Sequence, residues 1–389
     1  MKHYLDYAAT SAVRPPEVVA AVSDFLSNVG CTPGRGGHSG AMEASRIQFR
    51  CRRAVAGLLG VPGDPGRLAF MQNATHAMNT ALWGLLCDGD VVVVSQYDHN
   101  AVLRPAHRLS QLRGVEVRML SGDPDGDVDL AEAEQLLDGA KVLVVNAASN
   151  VLGTRMPVGP LAALAREAGA WVVADAAQSV GHFEIDLPGL GVDVIAFTGH
   201  KGLLGPQGTG GLWVREGLEV DPLICGGTGG DSRKREMPST MPDHLEAGTG
   251  NSPGLAGLLA GCEFVRSRGV GQIHESEMAL KMRLRDGLES LKGVQVLSPP
   301  GLDGVAVVTV TTDRTDPGTL AERLDQEHCV MTRAGLHCAP EVHRILGTLD
   351  TGAVRFSLGW ASTEADVDAA IAGVDAVVKS PAVQVGSAL

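Results

Sequence analysis

Phe197-Thr-Gly-His-Lys-Gly-Leu-Leu-Gly-Pro-Gln-Gly208 is where a mostly apolar run, residues 192–197, stops at a hydroxyl, an imidazole and an amine. A glycine-rich loop follows, and a second apolar segment, residues 211–214, comes after it. Lys201 therefore sits at the end of a buried strand, between Thr198, His200 and conformationally free glycines. An amine in that setting can act as a nucleophile toward a carbonyl, provided desolvation or cationic neighbours keep part of it neutral. Upstream, Trp171-Val-Val-Ala-Asp175-Ala-Ala-Gln178 reads as a strand ending in a carboxylate and an amide.

The same pattern repeats outward from these two strands. From Arg67 to Val214, strands are expected at 68–71, 91–95, 115–120, 142–146, 172–175, 194–197 and 211–214, with helical periodicity between most of them. Helices at 75–86 and 158–168 place Met78, Leu82, Leu85 and Leu86, and Leu161, Leu164 and Ala165, on single faces. Near-continuous apolar strands such as Val91-Val-Val-Val94 suit a mostly parallel, seven-stranded sheet covered on both faces. Ligands of such sheets lie at the carboxyl ends of the strands. Asn73-Ala-Thr75, Asp98-His99-Asn100, Asn150, Asp175, Gln178, Thr198, His200 and Lys201 all fall there. Residues 216–250 read as an irregular connection. Beyond it come long helices, about 252–268 and 272–291, and then a compact α+β pattern that includes a helix at about 317–327 and a single strand running into Arg333. The expected organisation is an N-terminal arm (1–14), a large domain (15–260) and a small C-terminal domain (261–389).

Composition narrows the function classes. The chain has 389 residues, 44% of them hydrophobic, with a formal charge of −13. A basic face for nucleic acid is therefore not expected. No apolar run reaches the ~18 residues of a membrane span. The N-terminus lacks the apolar core of a signal peptide. Seven cysteines with no Cys-x-x-Cys point to a reducing cytoplasm.

The strand-end residues suggest one chemistry. A carboxylate beside a pyridine nitrogen keeps it protonated, and the ring then withdraws charge from a carbanion, as pyridoxal 5′-phosphate requires. Asp175 and Lys201 have the types for the two roles. Asn73-Ala-Thr75 opens a helix, where backbone donors suit a phosphate, and Thr198 and His200 can add side-chain donors. His99 can stack on a flat ring or move a proton. Asn150 can donate to the ring's phenolic oxygen. Separately, Arg333-Ala-Gly-Leu-His-Cys338-Ala-Pro340 sets a cysteine beside a histidine, the makings of a thiolate nucleophile. A metal site from His337, Cys338 and His343 has poor ligand spacing, and no metal is expected.

Together Thr75, His99, Asn150-Val-Leu-Gly-Thr154, Asp175-Ala-Ala-Gln178 and Thr198-Gly-His-Lys201 resemble the class V aminotransferase group of pyridoxal-phosphate enzymes. Within it the chain most resembles the NifS-like cysteine desulfurases and selenocysteine lyases, over almost its whole length. The resemblance implies a fold type I transferase and a homodimer. It implies that Lys201 holds the cofactor as an imine and takes the substrate's Cα proton. Asp175 would pair with the pyridinium, Gln178 would contact the ring oxygen and His99 would stack on the ring. Thr75, Thr198 and His200 would bind phosphate, with Thr249 of Glu246-Ala-Gly-Thr249-Gly-Asn251 reaching it from a partner subunit. Arg355 would hold the carboxylate of L-cysteine, and Cys338, in a loop like that of the group II enzymes, would accept sulfur as a persulfide for a sulfur-acceptor protein. The chain departs from relatives at His76, where many carry Glu, at Leu336 in place of a second His, and in Ala-Pro-Glu-Val-His343 after Cys338. These departures keep selenocysteine lyase, or another class V lyase or transaminase with Cys338 incidental, as alternatives.

Overall fold

The computed structural model describes residues 2–34, 36–184, 186–229 and 233–380. Arg35 of the first glycine-rich loop and the tail 381–389 lie outside the described residues. The strands are β1 (His3–Tyr4), β2 (Leu68–Met71), β3 (Val91–Ser95), β4 (Glu116–Leu120), β5 (Val142–Asn146), β6 (Trp171–Asp175), β7 (Val194–Thr198), β8 (Gly210–Val214), β9 (Val294–Val296), β10 (Val307–Thr312), β11 (Val330–Met331), β12 (Arg333–Gly335) and β13 (Ala353–Ser357). The helices are α1 (Pro16–Asp24), α2 (Ser39–Leu58), α3 (Ala74–Leu85), α4 (Asn100–Arg113), α5 (Leu130–Leu137), α6 (Val158–Glu167), α7 (Ser252–Arg268), α8 (Val270–Glu289), α9 (Pro317–His328), α10 (Pro340–Ile345) and α11 (Glu364–Lys379).

All seven strands expected between Arg67 and Val214 form one sheet, in the order β2-β8-β7-β6-β5-β3-β4. Only β8 runs against its neighbours. Alternation along each strand divides the apolar side chains between two faces. Val92, Val94, Val142, Val144, Val173, Val194 and Ala196 pack with α3 and α4. Val93, Leu143, Val145, Val172, Ala174, Ile195 and Phe197 pack with α2, α5, α6 and α7. Burial on both faces explains why these strands read as continuous apolar runs.

Because β2, β3, β5, β6 and β7 point the same way, their carboxyl ends share one edge. Register sets Asn146 beside Asp175, and Asp175 beside Ala196. At that edge β8 begins with Gly210, where an added Cβ would lie 2.7 Å from both Asn73 Cα and the Phe197 carbonyl oxygen. The absence of a side chain lets the start of α3 close against β7.

A second, antiparallel sheet, β12-β13-β10-β9, packs with α8, α9 and α11 over its own core of Leu284, Val308, Val310, Leu324, Phe356 and Val374. Between the two sheets the helix α7 runs unbroken across residue 260 and gives way to α8 at Gly269. The arm ties the two sheets together. β1 pairs with β11, Leu5 enters the small core, and Ser11 donates from its backbone to the His200 carbonyl and from its hydroxyl to that of Lys201. The single strand expected to run into Arg333 divides at Thr332, because β11 pairs with the arm and β12 with β13. Among the described residues no helix is long and apolar enough to cross a membrane.

Gly210→Ala is expected to destabilise the fold by ~1–3 kcal/mol through overpacking and to weaken cofactor binding. Urea denaturation and cofactor titration would check both.

Candidate active site

The strand-end residues converge on one cavity of about 270 Å³. It is lined by all the expected site residues except Thr249: Thr75, His99, Asn150, Asp175, Gln178, Thr198, His200, Lys201, Cys338 and Arg355. Thr249 is exposed. Its segment is anchored at both ends, by Glu246 paired with Arg52 at 2.7 Å and by Asn251 donating to the Gly208 carbonyl at 3.1 Å.

Lys201 follows the last residue of β7 by a short turn. Burial pushes its amine down to about 8. Asp175 opposes that shift, and Arg355 and Arg333 add to it. At neutral pH an appreciable fraction of the amine is therefore uncharged, which a nucleophile needs. Asp175, at the end of β6, is buried and accepts from the Ala177 amide at 2.9 Å. Gln178 is buried one turn later and donates to the Ala8 carbonyl at 3.0 Å, which fastens the arm over the site.

His99 caps α4, its Nδ1 accepting from the Ala101 amide at 3.0 Å. Burial lowers its pKa, with Asp175 opposing. The ring is thus neutral with its proton on Nε2. Burial, then Lys201 and Arg14, push His200 down to about 4. Its Nδ1 lies 3.1 Å from the Thr10 hydroxyl. At the start of α3, Asn73 accepts from the His76 amide at 2.9 Å. The amides of Ala74 and Thr75, in the first turn, have no intrahelical acceptor and point out of the helix N-terminus.

Across the cavity stands Arg355 on β13. It is buried, donating to Asp6 at 2.9 Å and to the Asn150 carbonyl at 3.1 Å. Arg333 pairs with the other oxygen of Asp6 at 3.1 Å. The Arg355 Nε and the Asn150 Oδ1 are buried without a partner. Asn150 spends a donor on the His337 carbonyl at 2.8 Å. Cys338 is exposed at the cavity mouth, with φ +57 beside His337 at φ +52. Asp6 was not singled out from the sequence. Its signal was its isolation: it is the only acid in the arm, and it sits in the otherwise apolar stretch 4–9.

The model of the class V aminotransferase family matches residues 3–370. A probable cysteine desulfurase of Pyrococcus abyssi is 35% identical over 385 residues, covering 97% of this chain and 94% of the relative. The chain belongs to this family, among its pyridoxal-phosphate-dependent cysteine desulfurases. A probable cysteine desulfurase of Methanothermobacter thermautotrophicus is 33% identical, over 94% of this chain and 92% of that one. Among solved structures, the apo cysteine desulfurase of Thermococcus onnurineus matches with a TM-score of 0.90 at 32% identity, covering 97% of this chain and 95% of that one. The cysteine desulfurase CsdA of Escherichia coli matches with a TM-score of 0.86 at 28% identity, with the same coverage.

The residues present fit the cofactor this desulfurase family uses. The donor set at α3, the depressed amine of Lys201 and the buried carboxylate of Asp175 are separated by strand ends, as a flat ring with a phosphate at one side requires. Asn150 and Arg355, which line the cavity, each carry a buried polar atom with no protein partner, Oδ1 and Nε.

Because the Lys201 amine is held near 8, capture of pyridoxal phosphate by the apo protein should accelerate as pH rises through about 8. An unperturbed lysine would place that rise near 10.5. Stopped-flow absorbance against pH measures it, and a midpoint above 10 would contradict the burial of the amine.

Proposed function

We propose that the chain takes L-cysteine, releases L-alanine and retains the sulfur on Cys338 as a persulfide. The observation that carries this reading is the placing of one thiol, Cys338, on the same cavity as Lys201, Asp175 and Arg355. When bound, pyridoxal 5′-phosphate supplies an electron sink for charge leaving the substrate's Cα.

The chain's own residues then have these tasks. Lys201 would hold the cofactor's aldehyde and, once freed by substrate, would remove the Cα proton and later return it. Asp175 would keep the ring nitrogen protonated, Gln178 and Asn150 would serve the ring oxygen, and His99 would cover the ring. Thr75, Thr198 and His200 would hold the phosphate. Arg355 takes the substrate carboxylate and so orients the Cα–H bond. The Cys338 thiolate attacks the substrate sulfur. An S–S bond forms and the Cβ–S bond breaks, with its electron pair going to Cβ, which takes a proton. Carbon is reduced by two electrons and the sulfur oxidised by two, so no outside oxidant enters. The persulfide then passes to a thiol reductant or a sulfur-acceptor protein.

The exposed, anchored Thr249 segment supports a homodimer in which that hydroxyl reaches a second copy's phosphate. None of the seven cysteines is in a disulfide, which supports a reducing, cytoplasmic setting.

Arg355→Gln is expected to raise the KM for cysteine by ~10–100-fold, the worth of a charge-assisted bond of ~1.5–3 kcal/mol, with the cofactor's visible absorbance retained. Cys338→Ser should abolish alanine formation from cysteine under reducing conditions, and undiminished alanine would remove the thiol from the chemistry. Running both substrates, cysteine and selenocysteine, in the same assay separates desulfurase from lyase behaviour.

A further inference from the structure

His337 and His343 form a closed relay behind Cys338. His337 Nε2 lies 3.1 Å from the Arg333 carbonyl oxygen, and its Nδ1 lies 3.2 Å from His343 Nε2. His343 Nδ1 lies 2.8 Å from the Thr348 hydroxyl. The rings stack, with centroids 5.4 Å apart, and both residues are buried. Burial pushes the two imidazoles down to about 3 and about 4, so both are neutral. The donor directions then follow. A carbonyl only accepts, so His337 carries its proton on Nε2 and accepts at Nδ1. His343 must donate from Nε2 and accept at Nδ1, and the Thr348 hydroxyl donates. All four ring nitrogens are engaged within the relay. None is left for the Cys338 thiol, so the expectation that the neighbouring histidine activates that cysteine is not what the geometry supports.

What the relay does hold is backbone. His337 and Cys338 are consecutive non-glycine residues with φ of +52 and +57. Side chains rarely adopt that region, and such strain persists only where surrounding contacts over-determine it. Here the His337 carbonyl accepts from Asn150, the Cys338 carbonyl accepts from the Asn100 amide at 2.7 Å, and the Ala339 amide returns to the Leu336 carbonyl at 2.9 Å. The ring of His337, fixed between Arg333 and His343, is the remaining tie.

We infer that His343, backed by Thr348, is a positioning residue for the sulfur-accepting turn: it makes the His337 ring a strut that keeps Cys338 at the cavity mouth. This rests on Cys338 being the sulfur acceptor. It concerns residues after the cysteine that sequence alone left unassigned.

The test uses the full-length holoenzyme. His343→Leu should lower kcat for alanine formation about tenfold or more, as a misplaced reacting group does. The KM for cysteine and the cofactor absorbance should stay within about twofold, because Arg355 and Lys201 are untouched. His343→Gln can still donate to His337 and accept from Thr348, and should recover most of the loss. Thr348→Val removes only the far end of the relay and should lower kcat by a few-fold. Iodoacetamide alkylation of Cys338, followed by mass spectrometry, should keep the same pH midpoint in all variants. Wild-type kcat in His343→Leu, or a Gln variant as slow as the Leu variant, would overturn the inference. So would a shifted alkylation midpoint, which would make the pair part of the thiol's titration. Should the Leu variant fail to fold, wild-type kcat in Thr348→Val serves the same purpose. Undiminished alanine formation by Cys338→Ser would instead strike the sulfur-acceptor reading first, whatever the His343 variants do.

Discussion

Burial of the Lys201 amine near two carboxylates, Asp175 and Asp6, and two guanidiniums is the constraint on which the rest of the structure turns. An ammonium is costly to desolvate, and here Asp175 offsets only part of that cost while Arg355 and Arg333 increase it. The surroundings must therefore be rigid enough to hold an amine where it resists protonation. Rigidity comes from the sheet. β6 and β7 are adjacent, parallel and covered on both faces, so the loops carrying Asp175 and Lys201 start from fixed points.

The second half of the site is assembled by a carboxylate from far away in the chain. Asp6 is gripped by Arg355 and by Arg333, from neighbouring strands of the small sheet. The same arm gives its Ala8 carbonyl to Gln178 and packs against the carbonyls of His200 and Lys201. One short segment thereby fixes the distance between the amine on the large sheet and the guanidinium on the small one. Asn150 stands between the two halves, lining the cavity while it donates to the His337 carbonyl and gives its own carbonyl to Arg355.

The large sheet was legible because its physics is local. The inner strands β3, β5, β6 and β7 are runs of apolar residues, each ended by a polar one, and burial on both faces requires the apolar run. The helices α4, α5 and α10 were not singled out. α4 carries Pro105 within it, and α5 and α10 are short. Such elements are stabilised by packing more than by their own pattern. The strand before Arg333 was drawn as one piece because periodicity does not show which partner each half pairs with. The cavity-lining residues were legible as types at strand ends, and the resemblance supplied the roles proposed for them. Their hydrogen-bond partners were not: neither Gln178 with Ala8 nor Asn150 with His337 has any signature in spacing.

The order of apolar runs and strand-end polar residues determined by itself that this chain builds a covered, mostly parallel sheet with an amine, a carboxylate and a helix N-terminus on one edge. It also announced a cysteine turn and an arginine on a later strand. Only the tertiary structure decided that Asp6 joins that arginine to the arm, and that the histidine beside Cys338 is bound on both ring nitrogens. The physical reason is range. Periodicity and capping act between residues a few positions apart, whereas ion pairs and buried imidazole contacts depend on which distant surfaces meet when the cores close.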